Sequence, residues 1–475
     1  VAATEKLGDD RFEAEVLGLD EAGAGVAETA AGDEVLRVHA AGALPGERIR
    51  GYIVYRSAHL SAGQRSAWAE LEAVITPSTD RVAAPCPAHG RCGGCALMPL
   101  AYPAQIAWKR ERVRDQLHRH VELAGVEVAP CVPSPVTVGY RNQAKWVCGR
   151  GEGGEVVLGA YAPRSHDIVD LGGCQVVEPI LDQGQRILLG ILRSQGVQPY
   201  HEVRRTGVLR YAMLRANAAG EVLATLVAYR DWEQADAVAA AFMAELPALV
   251  GVVLNLNSTT GNALFGDTER LLAGRSAIDD QMGDVRVRLG SRSFFQANRA
   301  VGSRIYRDLV ARLPGHFGRA VDVYSGAGGI ALSLAARARE VVAIEVSPAA
   351  TDAAASGPSE SATHRLRVVT ADAALGLATV DAADLVVLNP PRKGCSDAVL
   401  AQVRRLSPEW IVYLSCEPRT LARDLAILSS GASITSVVPY DMMPHTPHVE
   451  TLAILSRRRV PQDGESAHSE SALPR

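Results

Sequence analysis

Short runs that alternate apolar and polar residues fill the first part of the chain, and continuous apolar runs replace them after Phe294. RFEAEVLGLD, GAGVAE, the text around Ala40 to Pro45, ERIRGYIVYR and AWAELEAVI read as strands separated by glycine turns. Several short strands at regular spacing predict a small closed barrel of the OB kind, since closure removes exposed edges. Residues 77–99 form a Pro/Gly/Cys-rich loop, and Val138 to Leu289 again reads as mostly β, with turns at ANAAGE and NSTTGN. Beyond it, AVDVYSG, EVVAIEV, LRVVTAD, DLVVLNPP and WIVYLSC are buried-strand candidates, each followed by a helix or loop. That rhythm predicts a parallel, doubly wound α/β sheet. The expected organisation is an OB-like barrel over 1–76, a central β-rich domain over 77–290, an α/β domain over 291–456, and a polar, disordered tail over 457–475.

A length of 475 residues fits several domains rather than one core. Hydrophobic residues at 47% and charged ones at 21% are ordinary for a soluble protein. Without a bilayer-length apolar run or a signal-like N-terminus, the expected location is cytoplasmic, with no membrane partner. A formal net charge of −4 argues against indiscriminate coating of nucleic acid but leaves room for a local basic channel. One candidate is Lys109, Arg110, Arg112, Arg114 and Arg119 in a helical stretch from Ala104 to Val121; a solvated helix face is the competing reading.

Candidate chemistry concentrates in the α/β part. VDVYSGAGGIAL places a glycine turn between a buried strand and a helix N-terminus, as a dinucleotide or adenosyl site requires. Glu345 ends the next strand, where a carboxylate can bind ribose hydroxyls; Asp372 and Asn389 close the third and fourth. An NAD site is the rival, but the glycines follow G-x-G-G rather than G-x-G-x-x-G, and Asn389 precedes Pro-Pro. Cys416 follows the fifth strand and precedes a helix opening with Pro418, so the helix dipole is expected to lower its pKa. His445, His448 and Glu450 are candidate general bases, with Glu450 expected to be raised by partial burial.

Cys86, Cys92 and Cys95 are spaced C-x5-C-x2-C, as thiolates sharing a metal would be. The fourth ligand is open among Cys131, Cys148 and Cys174, and so is the choice between zinc and a [4Fe–4S] cluster.

Taken together, these segments resemble the RNA uracil-5-methyltransferase family, from the barrel to about Ser456, and most closely its iron–sulfur branch acting on 23S ribosomal RNA. GAGVAE and ALPGERIRGYI are similar to its RNA-binding barrel, TRAM. The resemblance implies Cys86, Cys92, Cys95 and Cys174 as [4Fe–4S] ligands, with zinc the lesser choice and Cys131 and Cys148 structural. It also implies S-adenosyl-L-methionine as methyl donor, contacted by Gln296 of SFFQAN, Tyr324, Gly329, Glu345, Asp372 and Asn389. Cys416 of SCEPRTLARD then matches the nucleophile and Glu450 of PHTPHVET the base, in a monomer acting on 23S rRNA or, alternatively, on the T-loop of tRNA. Two residues depart from the pattern: Asn389 stands where aspartate is common, and Gly329 where some members carry a polar side chain.

Two other readings compete. An amino-group methyltransferase is suggested by Asn389-Pro-Pro, but Arg392 stands where an aromatic residue would hold the amine. A non-catalytic RNA-binding assembly factor would have no use for Cys416 together with Glu450.

Overall fold

The computed structural model describes residues 10–457 except 33, 62, 164, 261–262, 294 and 357–364. The expected tail lies outside the described residues from 458 onward, while Arg457 ends the last strand. Near the N-terminus, β1 (Arg11–Leu19), β2 (Gly25–Ala31), β3 (Glu34–Ala40), β4 (Arg48–Ser61) and β5 (Gln64–Thr76) close into a barrel. Val16, Leu36, Val38 and Ile49 fill it. The third strand lies over EVLRVHA rather than around Ala40 to Pro45. Gly42 and Gly46, with φ of 82° and 77°, turn that later text back on itself.

Helix α1 (Tyr102–His118) carries Pro103 in its first turn, where no intrahelical N–H bond is lost. Its Val113 and Leu117 join Leu123 and Val128 in a core shared with the C-terminal sheet. The central region contains β6 (Gln143–Arg150), β7 (Val156–Tyr161), β8 (Ile168–Asp170), α2 (Pro179–Ser194), β9 (Leu209–Ala216), β10 (Val222–Ala228), α3 (Ala235–Glu245), β11 (Leu249–Leu256) and β12 (Thr268–Gly274). Its sheet runs β12-β11-β10-β9-β6-β7-β8, with α2 and α3 packed on the face that buries Trp146 and Leu214. A purely strand-like reading misses these helices: the apolar run ILLGIL within α2 resembles a buried strand unless Leu181, Leu188 and Leu192 are read together as one helix face.

The hairpin of β13 (Ala277–Met282) and β14 (Val285–Gly290) packs with α4 (Arg299–Arg312) into the C-terminal core. That domain continues through β15 (Phe317–Val323), α5 (Gly329–Leu334), β16 (Ala338–Glu345), α6 (Pro348–Ala355), β17 (Leu366–Thr370), β18 (Leu385–Leu388), β19 (Trp410–Ser415), β20 (Ala432–Tyr440) and β21 (Glu450–Arg457). The strand order is β17-β16-β15-β18-β19-β21-β20. The first five strands are parallel, and β21 runs antiparallel to both neighbours. This is the α/β sheet that the apolar runs predict. Strand order reverses between β15 and β18, so a crevice opens at their carboxyl ends. Among the described residues no helix is long and apolar enough to cross a membrane.

Candidate active site

Glycines shape the crevice floor. After β15, Tyr324 takes a φ of 64°, and Gly326 and Gly328 follow at 54° and 80°. Only glycine enters that region at no steric cost, so the non-glycine Tyr324 marks a held backbone. Glu345 holds it: its carboxylate accepts from the N–H of Gly326 at 3.0 Å and of Ser347 at 2.9 Å. Asp322, next to the last residue of β15, is wholly buried, and one of its oxygens accepts from the Ala331 N–H at 2.9 Å. The other has no partner, nor has the buried hydroxyl of Ser325. Burial, with Glu345 adding, pushes the Asp322 carboxyl up to about 8 against the Ala331 bond. These unsatisfied atoms beside a glycine turn suit a polar ligand, since buried polar groups normally find partners. The sequence reading missed Asp322; its signal was a lone carboxylate inside an apolar strand.

The other expected donor contacts are arranged unevenly. Tyr324 is half-buried, and its phenol is raised by burial and by Cys395, with which it hydrogen-bonds. Asp372 is exposed and caps the helix Ala373–Ala378, accepting from the Ala374 N–H at 2.9 Å. Asn389 sits at the end of β18, its N–H donating to the Val323 carbonyl at 3.3 Å. Gln296 is buried in the loop before α4, and its carbonyl accepts from Asn142 at 3.1 Å. A Cβ at Gly329 would stand 2.9 Å from the Tyr306 ring, which explains why no polar side chain occupies that position. A cavity of about 830 Å³ is lined by Tyr306, Leu332, Arg337 and Arg365 and by none of these candidates.

Cys416 and Glu450 face each other because of strand pairing. Ser415 is opposite Thr451 in the antiparallel β19–β21 ladder, so one further step brings 416 opposite 450. Contrary to expectation, the Cys416 thiol is not lowered. Burial and then the Glu450 carboxylate push it up to about 11, while Arg392 pulls it down. Helix Pro418–Leu428 offers the thiol little, because Pro418 has no N–H and Glu417 caps the end, accepting from Arg419 at 3.3 Å. The cap's negative charge offsets the helix dipole.

Glu450 is raised to about 7 by burial, against the pull of Arg392. The histidines separate from it. Burial, then Arg392 and other cations, drives His448 down to about 4, so it is neutral and weakly basic. Gln105 ties up His445, accepting from its backbone N–H at 2.9 Å and meeting its ring nitrogen at 3.2 Å. Arg392 is a second residue that sequence reasoning undervalued, having used it only to argue against an amine pocket. It acts on both Cys416 and Glu450, and its guanidinium lies 3.4 Å from the His448 ring.

The expected basic patch on α1 is instead a brace for the loop carrying these residues. Lys109 is wholly buried, paired with the equally buried Asp441 and bonded to the Met443 carbonyl at 2.9 Å. Arg112 donates to the Pro447 carbonyl, and Arg110 to that of Val128 at 2.9 Å. Arg114 pairs with Glu111. Lys109, Arg110 and Arg112 are spent inside the protein, while Arg114 and Arg119 stay exposed. Removing one partner of a buried pair typically costs about 3–5 kcal/mol, so Lys109 holds the loop firmly.

Cys86, Cys95 and Cys174 pack around Met98, Tyr140 and Val176. The Cys95 thiol is pushed up to about 12 by burial, then by Cys174, Cys92 and Cys86. Cys174 therefore joins the triplet, whereas Cys148 is buried in the central core and Cys131 lies near Asp441 and Lys109. Among the described residues no group of three or more Cys, His, Asp or Glu is spaced to hold a metal ion.

Comparison with known proteins agrees with this layout. The family model described as tRNA (Uracil-5-)-methyltransferase matches residues 373–458, and that of the methyltransferase small domain matches 293–406. An RNA methyltransferase of Geobacter sulfurreducens is 37% identical, covering 98% of this chain and 94% of that one. One from Thermosynechococcus vestitus is 35% identical over 88% of this chain and 93% of its own length. Among solved structures, the Pyrococcus abyssi tRNA (uracil-54, C5)-methyltransferase in complex with S-adenosyl-L-homocysteine shares the fold. Its TM-score is 0.70 at 24% identity, over 94% of this chain and all of that one.

Proposed function

From the premise that this chain belongs to the RNA uracil-5-methyltransferase family, we propose that it methylates C5 of a uridine in 23S ribosomal RNA, using S-adenosyl-L-methionine. The observation carrying this reading is the pairing of Cys416 with Glu450 at the carboxyl end of a sheet whose neighbouring strands end in a glycine turn. Support for a donor site comes from Glu345 and the unsatisfied Asp322 and Ser325 atoms at or beside that turn, with Asn389 just past the end of the adjacent strand. When bound there, the donor supplies a methyl group on a sulfonium.

Uracil C5 is a weak nucleophile until C6 is attacked. The Cys416 thiolate adds to C6, placing the electron pair at C5, where the methyl group is accepted. Glu450 then takes the C5 proton, and the sulfur leaves C6 as the ring recovers its double bond. A carboxyl near 7 is suited to this work, being ionised often enough to accept and basic enough to pull. Because Cys416 rests near 11, its thiolate must be drawn out by positive charge in the assembled site. Arg392 provides part of it.

The target base must leave its stack to reach Cys416, so the substrate uridine is unpaired or flipped. We assign 1–76 and 77–290 to holding RNA against the catalytic part, 291–456. Mapping 5-methyluridine in ribosomal and transfer RNA from cells with and without the gene tests the assignment. Loss confined to 23S rRNA is expected; loss at a T-loop uridine would transfer the activity to tRNA, and no loss would refute it.

The same reading takes Cys86, Cys92, Cys95 and Cys174 as ligands of a [4Fe–4S] cluster. Its support is the donor set: Cys86, Cys95 and Cys174 pack around one small core, and Cys92 lies near enough to act on the Cys95 thiol. Methyl transfer moves no electrons through it, so its role is structural. Anaerobically purified protein is expected to show visible charge-transfer absorption and bound iron, both lost in Cys95→Ser. A colourless protein containing zinc would replace the cluster with a zinc site.

A further inference from the structure

The helix-free face of the central sheet carries a groove built for stacking. α2 and α3 cover one face, where Trp146, Cys148, Ala212 and Leu214 are buried. Strand alternation turns Lys145, Val147 and Tyr211 to the other. There the register pairs Val147 with Tyr211 and Lys145 with Met213. At Leu223 and Val253 this second face is packed into the C-terminal core. Toward β7 and β8 it opens into a groove of about 350 Å³, lined by Tyr161, His166, Tyr200, His201, Arg210 and Tyr211.

Rings and cations alternate along it. Tyr200 stacks on Tyr229 with centroids 4.5 Å apart, and Tyr161 meets His166 edge-on at 6.0 Å. Arg210 lies 5.2 Å from the Tyr200 centroid, and Lys145 5.3 Å from that of Tyr211. Arg210 is buried and fixed, donating to the carbonyls of Asn257 at 3.0 Å and Thr259 at 2.8 Å. Tyr161 is 44% exposed, and the turn beside the groove presents Val203 at 89% exposure next to exposed Arg204 and Arg205. Glu202, the one carboxylate in the lining, is bound to Arg210 at 3.2 Å.

We infer that this groove binds unpaired RNA bases flanking the target uridine, an inference resting on the function proposed above. Every base has a π-face, so tyrosine platforms hold single strands without a sequence code, and the exposed Lys145, Arg204 and Arg205 draw in the backbone. An acidic peptide would match the cations but leave the rings unused. β6 links the groove to the catalytic side: Asn142, just before it, holds the Gln296 carbonyl, and the rise from Gln143 to Gly149 is about 20 Å. RNA lying along β6 would therefore reach the groove several nucleotides from the modified base.

The test uses full-length protein and two fluorescent probes, an unpaired mixed-sequence oligoribonucleotide and its abasic counterpart. Tyr161→Ala with Tyr211→Ala is expected to weaken binding of the first roughly tenfold and leave the second unchanged. Tyr211→Phe should bind both as wild type does. If the double variant unfolds, Tyr161→Ala alone, at an exposed position, carries the same comparison. Equal binding of the first probe by variant and wild type, or equal losses on both probes, would overturn the groove. Base-dependent loss in a protein whose wild type methylates no RNA would keep the groove and discard the proposed function instead.

Discussion

Cys416→Ala is expected to lower methyl transfer by about four orders of magnitude or more, leaving donor binding intact. The size follows from its role: without sulfur at C6, C5 faces the methyl group as an unactivated vinylic carbon, and losing a covalent nucleophile commonly costs this much. The substitution is small, and Cys416 is only half-buried, so the fold should not respond. Radiolabelled methyl incorporation into RNA, alongside calorimetric donor titration, checks both halves. Turnover within tenfold of wild type would remove Cys416 from the chemistry.

Glu450→Gln should fail later in the same sequence. Addition at C6 and methylation at C5 can still occur, but the C5 proton has no acceptor, so protein and RNA remain joined through Cys416. A band resistant to denaturing electrophoresis is expected, with turnover reduced about 10²–10⁴-fold. Wild-type rates should rise with pH through a limb near 7, the value of the buried carboxyl, because its ionised form is the base. The variant should lack that limb. Stability moves the opposite way: a carboxyl raised in the folded protein favours folding while protonated, and that advantage fades as pH climbs from about 4.5 to 7. Above pH 7, Glu450→Gln should therefore melt no lower than wild type. Absence of a covalent species, with the pH limb retained, would pass the base role to another group.

The loop carrying Glu450 depends on distant parts of the chain. Lys109 of α1 pairs with Asp441, Gln105 grips His445, and the Tyr140 hydroxyl donates to the Pro444 carbonyl at 3.0 Å. Leu97, two residues after Cys95, donates its N–H to the His445 carbonyl at 2.9 Å. The cysteine loop and the loop leading to Glu450 are thus bonded directly.

Local pattern by itself determined the barrel, the parallel sheet with its glycine turn, and the placing of Glu345, Asn389 and Cys416 at strand ends, because periodicity and turn chemistry act over a few residues. It also brought the cysteine triplet and Cys416 to notice, while the choice of Glu450 over the histidines came from the family resemblance. Tertiary packing decided what spacing cannot encode. Whether Lys109 of α1 faces solvent depends on Asp441, more than three hundred residues away. Glu450 rather than His448 has a suitable affinity for a proton because burial raises carboxyls and lowers imidazoles, while Arg392 pulls both down. The thiol expected to be acidic is not, because burial and the nearby Glu450 raise it and Glu417 adds to them. Electrostatics and desolvation sum over every neighbour in space, and the chain's own order does not reveal who those neighbours are.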